Sequence, residues 1–412
     1  MKKWKQIITL FMVFLLMITP ASFAGAQEYD ASAPTATPVP VQTPVPTQAP
    51  LADQVLIADK NGNAVTEFKT HLITTGTEAD IQALNVYGIY LPATVKEQVV
   101  KVNMTNKGLL MLPVQYMGET NDRLYTSSYL YEDEACTKSV SLSSDGVSYS
   151  ILSKGTYYLK VSVNDYNDVK PEGYTFNIGA AVVSSANQTL KHKTWICSAL
   201  EDYKTPVYYK VTVSKTAKIV LDMESDYSRK VTLCNSKKKA VSEEVFNSGD
   251  EKVIFVVAKG TYYIKAASSS EYLRIKGTIT ALKDGSGTSK AKAKVLKVNG
   301  ASASCNITAN DKTSKADWFK FTNSKNQKIN LYITSNISSG SFNVELYNSK
   351  GEKFASTVIY GGINQPNGYE LYSYGGSFGY SRDKLSKGTY YIKITKASAK
   401  SSGTYSIKIK NK

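Results

Sequence analysis

The sequence predicts an all-β protein made of three tandem antiparallel β-sandwich modules, and three observations predict it. One stretch recurs three times, as SKGTYYLKVSV from Ser153, AKGTYYIKAAS from Ala258 and SKGTYYIKITK from Ser386, the mark of a supersecondary unit used in tandem. Each copy alternates with period 2, the signature of a half-buried strand. Runs rich in Tyr, Val, Ile and Thr follow one another with no long segment of helical period, so each module must bury one sheet against another.

The elements follow in chain order. Residues 1–26 place Lys2, Lys3 and Lys5 ahead of an apolar run from Ile7 to Ile18 and end in small residues around Ala24 and Ala26. This reads as a secretory signal peptide, and the run is too short for a permanent membrane helix. Secretion is therefore expected, to an extracellular or wall-associated location, with no membrane insertion after cleavage. Residues 27–52 form a Pro/Thr-rich linker that holds six of the twelve prolines; about 20 residues at ~3.1 Å each would make a semi-rigid spacer of roughly 60 Å. A disordered N-terminus is the equal alternative. LPATV at Leu91 is internal and reads as a loop.

The modules are expected at 53–183, 184–283 and 291–412, with a linker at 284–290. In each GTYY strand one face should pack: Tyr157, Leu159 and Val161; Tyr262, Ile264 and Ala266; Tyr390, Ile392 and Ile394. The glycine is read as supplying a turn. Upstream, DWFKFTNSKNQKINLYI from Asp317 corresponds to VYYKVTVSKTAKIVLDM from Val207 and, more loosely, to QVVKVNMTNKGLLMLPV from Gln98. Each reads as strand, lysine-containing turn, strand. VELYNSKGEKFAS from Val344 and VTLCNSKKKAVSE from Val231 read as hairpins, and GYTFNIGAAV, EYLRIKGTIT and GTYSIKIKNK close the three copies.

This order of ADWFKF, LYNSKGEKF, LSKGTYYIKI and GTYSIKI resembles the bacterial pre-peptidase C-terminal (PPC-like) domain of secreted Gram-positive proteins, closely in the third module, fairly in the second and weakly in the first. The resemblance implies a jelly-roll-like sandwich. Relatives on clostridial collagenases bind collagen and calcium while many have no known ligand, so the resemblance implies no particular activity.

The chemistry-bearing residues are few. The two histidines, His71 and His192, fall in different modules, and HExxH, GxSxG and phosphate-loop motifs are absent, so the chain is not expected to be an enzyme. The carboxylate pairs Glu201 with Asp202 and Glu243 with Glu244 read as solvated. Calcium is weighed at DKNGNAVTE from Asp59, where the glycine comes one residue early and Thr70 occupies the position of the bidentate glutamate. A hairpin turn at Asn61-Gly62 explains it better, as turn formation does for Asn310 and Asp311. No cofactor is assigned. Cys136, Cys197, Cys234 and Cys305 form no CxxC motif; only Cys197 and Cys234 share a module, as a bridge or as buried thiols.

Charge is more informative. Of 50 basic and 34 acidic residues, the first module holds 10 and 15 (−5), the second 17 and 10 (+7), and residues 290–412 hold 20 and 6 (+14). This gradient points the array toward an anionic partner, a cell-wall polyanion or polysaccharide, while a merely solubilising lysine surface is the plain alternative. Nucleic acid is not expected, because export separates the chain from it and no recognition motif is present.

The interval from first strand to GTYY strand is 67 positions in the third module (Phe321 to Gly388) against 49 and 53 in the others. The extra segment places Tyr360, Tyr369, Tyr372, Tyr374 and Tyr380 among glycines and asparagines, with Arg382, Lys384 and Lys387 following. Tyrosines in such a loop give broad contact at low entropy cost, so these residues are the ligand-binding candidates. An extra hairpin around GYELYSYGG packing on the sandwich is the alternative. The function expected is a non-catalytic binding protein; the rivals are an adhesin for matrix protein and a structural accessory to a secreted partner.

Overall fold

The computed structural model describes residues 54–77, 79–80, 83–118, 125–141, 148–164, 172–201, 204–225, 227–248, 252–268, 271–360, 367–372 and 384–411, the strand at 367–372 by its backbone alone. The expected signal peptide and Pro/Thr-rich linker lie outside the described residues. The chain forms two compact units, residues 1–186 with 197–199, and residues 187–196 with 200–412. The first unit holds one hydrophobic core and the second holds two. Each core is lined from both sides by alternate residues of two sheets, so the architecture is all-β and sandwich-type.

One sheet pattern occurs three times. Its five strands run, in spatial order, Glu67–Lys69, Glu97–Met104, Gly155–Asn164, Tyr125–Tyr131 and Ser139–Val140 in the first module. The second repeats it with Gln188–Thr189, Val207–Val213, Gly260–Ser268, Arg229–Cys234 and Val245–Asn247, and the third with Lys294–Val295, Ala316–Asn323, Gly388–Lys396, Ser341–Tyr347 and Lys353–Tyr360. The GTYY strand is central in all three. Its expected core face is buried in every copy, from Tyr157, Leu159 and Val161 to Tyr390, Ile392 and Ile394. One difference from an antiparallel sheet is that the first, short strand of each pairs parallel with its neighbour.

Local chemistry recurs with the topology. The first tyrosine of each GTYY donates its hydroxyl to the carbonyl four residues earlier: Tyr157 to Ser153 at 3.0 Å, Tyr262 to Ala258 at 3.1 Å and Tyr390 to Ser386 at 3.0 Å. A buried ring thus keeps its polar end bonded, as tyrosine corners do in other sandwiches. The glycine before it is no turn residue. Gly155, Gly260 and Gly388 open the ladder opposite Met104, Val213 and Asn323.

The turns also repeat. In the loop from Asn348, Gly351 has φ of 89° and donates to the Asn348 carbonyl; Lys238 (φ 59°) does the same to Asn235, and Cys136 (φ 55°) to Asp133. Asp59 begins a fourth such turn, with Gly62 at φ of 82°. In all four the opening Asn or Asp also receives backbone N–H groups on its side chain, which locks the loop. The Asp59 carboxylate accepts from Asn61 N, Asn63 N and Asn63 Nδ2, so its oxygens face donors of its own hairpin turn, and these N–H donors hold its carboxyl below the usual range. Asp311 likewise receives Thr308 N at 2.8 Å.

The opposing sheets differ in size. The second module uses Trp195–Ala199, Tyr272–Ala281, Ala217–Glu224 and Val253–Val257, and the third uses Ala303–Ile307, Ser402–Asn411, Ile329–Ser339 and Asn367–Tyr372. The first has seven strands gathered around Tyr174–Ser184, which is buried along almost its whole length, as befits a strand covered on both faces. Residues 284–290, read as a linker, are held against the third module. Gly287 exchanges both backbone bonds with Trp318, at 2.8 and 3.1 Å, and Gly285 N reaches the Ser304 carbonyl at 2.9 Å. A Cβ on Gly287 would lie 2.2 Å from the Lys292 carbonyl oxygen, so this close approach requires glycine. All four cysteines are free thiols; Cys197, Cys234 and Cys305 are buried and Cys136 is half-buried.

Candidate functional site

The five-stranded sheet of the third module buries one face and presents the other. Period-2 alternation puts Trp318 and Lys320, Tyr391 and Lys393, and Glu345 and Tyr347 on the outer face, the register aligns them in rows, and a bulge in the edge strand sets Lys353 opposite Tyr347. One row runs Trp318, Lys393, Glu345, Ser356 and the next Lys320, Tyr391, Tyr347. The Trp318 and Tyr347 ring centres are 5.8 Å apart. The Lys393 ammonium stands 6.0 Å over the Trp318 ring, and Lys290, delivered by the 284–290 segment, stands 4.8 Å over the Tyr391 ring.

Glu345 organises the centre. Its carboxylate receives Lys393 at 3.0 Å, Lys353 at 3.2 Å and the Tyr347 hydroxyl at 2.9 Å. Partial burial works to raise its pKa, but these bonds outweigh it and hold the carboxyl below its usual range. Burial, with the same hydrogen bond to Glu345, pushes the Tyr347 phenol up to about 12. Four lysines (290, 320, 353 and 393) therefore share this face with one carboxylate. Aromatic rings flanked by cations can stack on ring faces while the ammonium groups hold anions.

Of the sequence-selected residues, Tyr360 is 65% exposed and lies on this same outer face, on the edge strand opposite Ser341. Tyr369 and Tyr372 sit on the strand Asn367–Tyr372, which pairs Tyr369 with Ile333 and Tyr372 with Asn330 in the other sheet. The extra segment thus supplies an edge strand, and the candidates on it are divided between the two sheets. Tyr374, Tyr380 and Arg382 lie outside the described residues. Lys384 and Lys387 are exposed on the approach to the GTYY strand, where Asn326 Oδ1 accepts from Lys387 N at 2.8 Å. Sequence reasoning passed over Trp318, Tyr347, Tyr391, Lys393 and Lys290. The signal was present in the polar half of each alternating strand; the lateral order that gathers those halves was not.

The second module carries a smaller version of the face. Tyr208 and Tyr263 meet edge to face at 6.4 Å, and the Lys238 ammonium lies 4.5 and 5.4 Å from their ring centres. Cys234 lies opposite Tyr263 in the register, and burial pushes its thiol up.

Other chemistry is spoken for. His192 Nδ1 accepts the Ile279 amide at 3.0 Å. Glu243 and Glu244 are exposed, and Glu244 pairs with Lys230 at 3.4 Å. Among the described residues no group of three His, Cys, Asp or Glu side chains is placed to hold a metal ion. A cavity of about 550 Å³ in the first module is lined by Asp59, Lys60, Glu67, Lys69, Asn85 and Tyr87. Its Tyr87 hydroxyl both accepts from Lys69 N and donates to Lys69 O, and Glu67 is paired with Lys101. No helix among the described residues is long and apolar enough to cross a membrane.

No family model matches the chain and no curated protein matches it. Among solved structures, tripeptidyl peptidase 2 aligns over 86% of this chain and 33% of its own at 10% identity, with a TM-score of 0.19. The ANX2 ectodomain from Arabidopsis thaliana aligns over 52% of this chain and 83% of its own at 8% identity, with a TM-score of 0.16. At these scores neither carries an argument about function.

Proposed function

We propose that the protein is a secreted, non-catalytic binding protein that holds an anionic polymer of the cell surface on the outer sheet face of its third module, with the second module assisting. The observation that supports this reading most is the set of Trp318, Tyr347 and Tyr391 rings interleaved with Lys290, Lys320, Lys353 and Lys393 around Glu345. A phosphate- or carboxylate-bearing polysaccharide matches both features: sugar rings meet the aromatic faces and anionic groups meet the ammonium groups. The excess of basic residues from 290 onward adds long-range attraction. The kinship with PPC-like domains belongs to the same proposal, supported by the repeated GTYY strand and its recurring hairpin.

Co-sedimentation with purified Gram-positive walls, before and after teichoic acid removal and across a salt series, tests the reading. Binding should fall with salt, as Coulombic attraction between exposed charges does, and fall on polymer removal. A Lys320→Ala, Lys393→Ala double variant should weaken binding by about tenfold, or ~1.4 kcal/mol. Binding that ignores both salt and the double variant would turn the search to a protein ligand of the adhesin kind.

A further inference from the structure

The outer face of the first module's five-stranded sheet differs in a way that assigns it another ligand. Tyr125, Ser127, Tyr129 and Tyr131 alternate along the strand Tyr125–Tyr131 and share one face; the run from Tyr125 to Tyr131 spans about 20 Å of extended chain. Tyr125 and Tyr129 are 58% and 55% exposed. In the neighbouring GTYY strand, Tyr158 lies opposite Tyr131, Lys160 opposite Tyr129 and Ser162 opposite Ser127. The lysines here carry ion pairs: Lys160 with Glu97 at 2.6 Å and Lys101 with Glu67 at 3.4 Å. The module as a whole is acidic, with 10 basic and 15 acidic residues.

We infer that this face is a second binding site, for an uncharged polysaccharide, separate in position and chemistry from the cationic face of the third module. The charge balance decides against a polyanion, because the face offers paired ammonium groups within a module of net negative charge. Tyrosine-rich faces also serve protein partners, and a face that serves only such a partner would retain no glycan in the test below. Rings offset by hydroxyls suit a ligand that presents apolar ring faces and hydroxyl edges in alternation. A row of amphipathic tyrosines gives such a ligand wide contact at small entropy cost. The inference does not depend on the anionic-polymer reading, since it concerns another module and the opposite salt behaviour.

The test is retention of the full mature chain on a panel of insoluble uncharged glycans, namely chitin, cellulose, mannan and a β-1,3-glucan, in about 1 M salt, where exposed charges are screened within ~3 Å. Retention on at least one is expected, reduced by about tenfold or more in a Tyr125→Ala, Tyr129→Ala variant and unchanged by Lys320→Ala with Lys393→Ala. Both tyrosines are exposed, so the double variant should melt with the parent. A Tyr129→Phe variant, which keeps the ring, should keep most of the retention. Absence of retention on every glycan, or retention indifferent to the double variant, overturns the proposal. So does a dimer in sedimentation that the double variant dissolves, because the face would then belong to a second copy of the chain. The anionic-polymer reading would stand or fall separately, on the low-salt wall experiment.

Discussion

The second and third modules share a sheet order, a tyrosine-to-carbonyl bond and a turn, yet they fill equivalent core positions differently. By register Val207 of the second module corresponds to Asp317 of the third, and Leu273 to Tyr405. Where the second module has two apolar side chains, the third buries a carboxyl that accepts the Tyr405 hydroxyl at 2.5 Å. Ser268 likewise corresponds to Lys396, whose buried ammonium donates to the carbonyls of Thr308, Ala309 and Asp311 at 3.3, 2.9 and 3.1 Å. Once a sandwich has a sufficient core, polar groups can enter it wherever each finds partners, and the two modules have used that freedom at different places: the second buries Arg229, which donates to Asn247 Oδ1 at 2.8 Å.

Lys396 gives the largest expected effect. Burial lowers its pKa, and three carbonyls depend on its ammonium. Lys396→Met should cost the third module about 3 kcal/mol or more, at about 1–3 kcal/mol for each buried carbonyl left without a donor. It should also release residues 308–311. Because Ala309 packs into the second module's core and donates to the Val256 carbonyl at 2.8 Å, amide exchange at Ala309 should accelerate more than in the Gly260–Ser268 strand.

Asp317 comes next. Burial, opposed by the Tyr405 hydrogen bond and reinforced by Asp284, pushes its carboxyl up from 3.8 to about 6. A carboxyl whose pKa is raised by folding stabilises the fold below its unfolded pKa, near 4, and that contribution is lost as pH rises through 6. The loss amounts to about 3 kcal/mol. Native-state exchange of the Gly388–Lys396 strand should therefore slow on going from pH 7 to pH 4, after correction for intrinsic rates. The corresponding Gly260–Ser268 strand should lack this contribution, and Asp317→Asn should remove it. An equal slope in Asp317→Asn would exclude Asp317 as its source.

Smaller effects probe what the modules have in common. Tyr262→Phe and Tyr390→Phe each delete one hydroxyl-to-carbonyl bond in the same place and should cost about 1 kcal/mol apiece by urea denaturation. Unequal losses would show that the polar core of the third module alters the role of its corner. The turns give the smallest differences. Gly351→Ala should cost about 1 kcal/mol because φ is 89° there, and Lys238→Gly should change stability by less than about 0.5 kcal/mol, because relief of a side chain held at φ of 59° is offset by loss of its ammonium from over Tyr208 and Tyr263.

Much of this architecture was legible in the residues. The triplication, the buried half of each GTYY strand and the hairpin turns at Asn235 and Asn348 all follow from local pattern, because period 2 and the turn chemistry of Asn, Asp and Gly act over a few residues. The candidate site was less legible. The extra tyrosines drew attention by composition, yet Tyr360 belongs to one sheet and Tyr369 and Tyr372 to the other. The rings that form a common face, Trp318, Tyr347 and Tyr391, are 29 and 44 positions apart in the chain.

The sequence by itself determined which side chains of each strand face inward, where the chain turns, and that one unit is used three times, since alternation and turn residues are properties of neighbouring positions. Only the tertiary structure decided which strand lies beside which. The lysine-containing turns after Val213 and Asn323 carry the chain from one sheet to the other, Val207–Val213 lying in one and Ala217–Glu224 in the other; a hairpin would have shown the same alternation. Ladder hydrogen bonds join backbone groups that every residue except proline possesses, so they carry little sequence information. The choice of neighbour falls to the packing of whole sheet faces, and that choice assembled the aromatic and cationic rows on the outside.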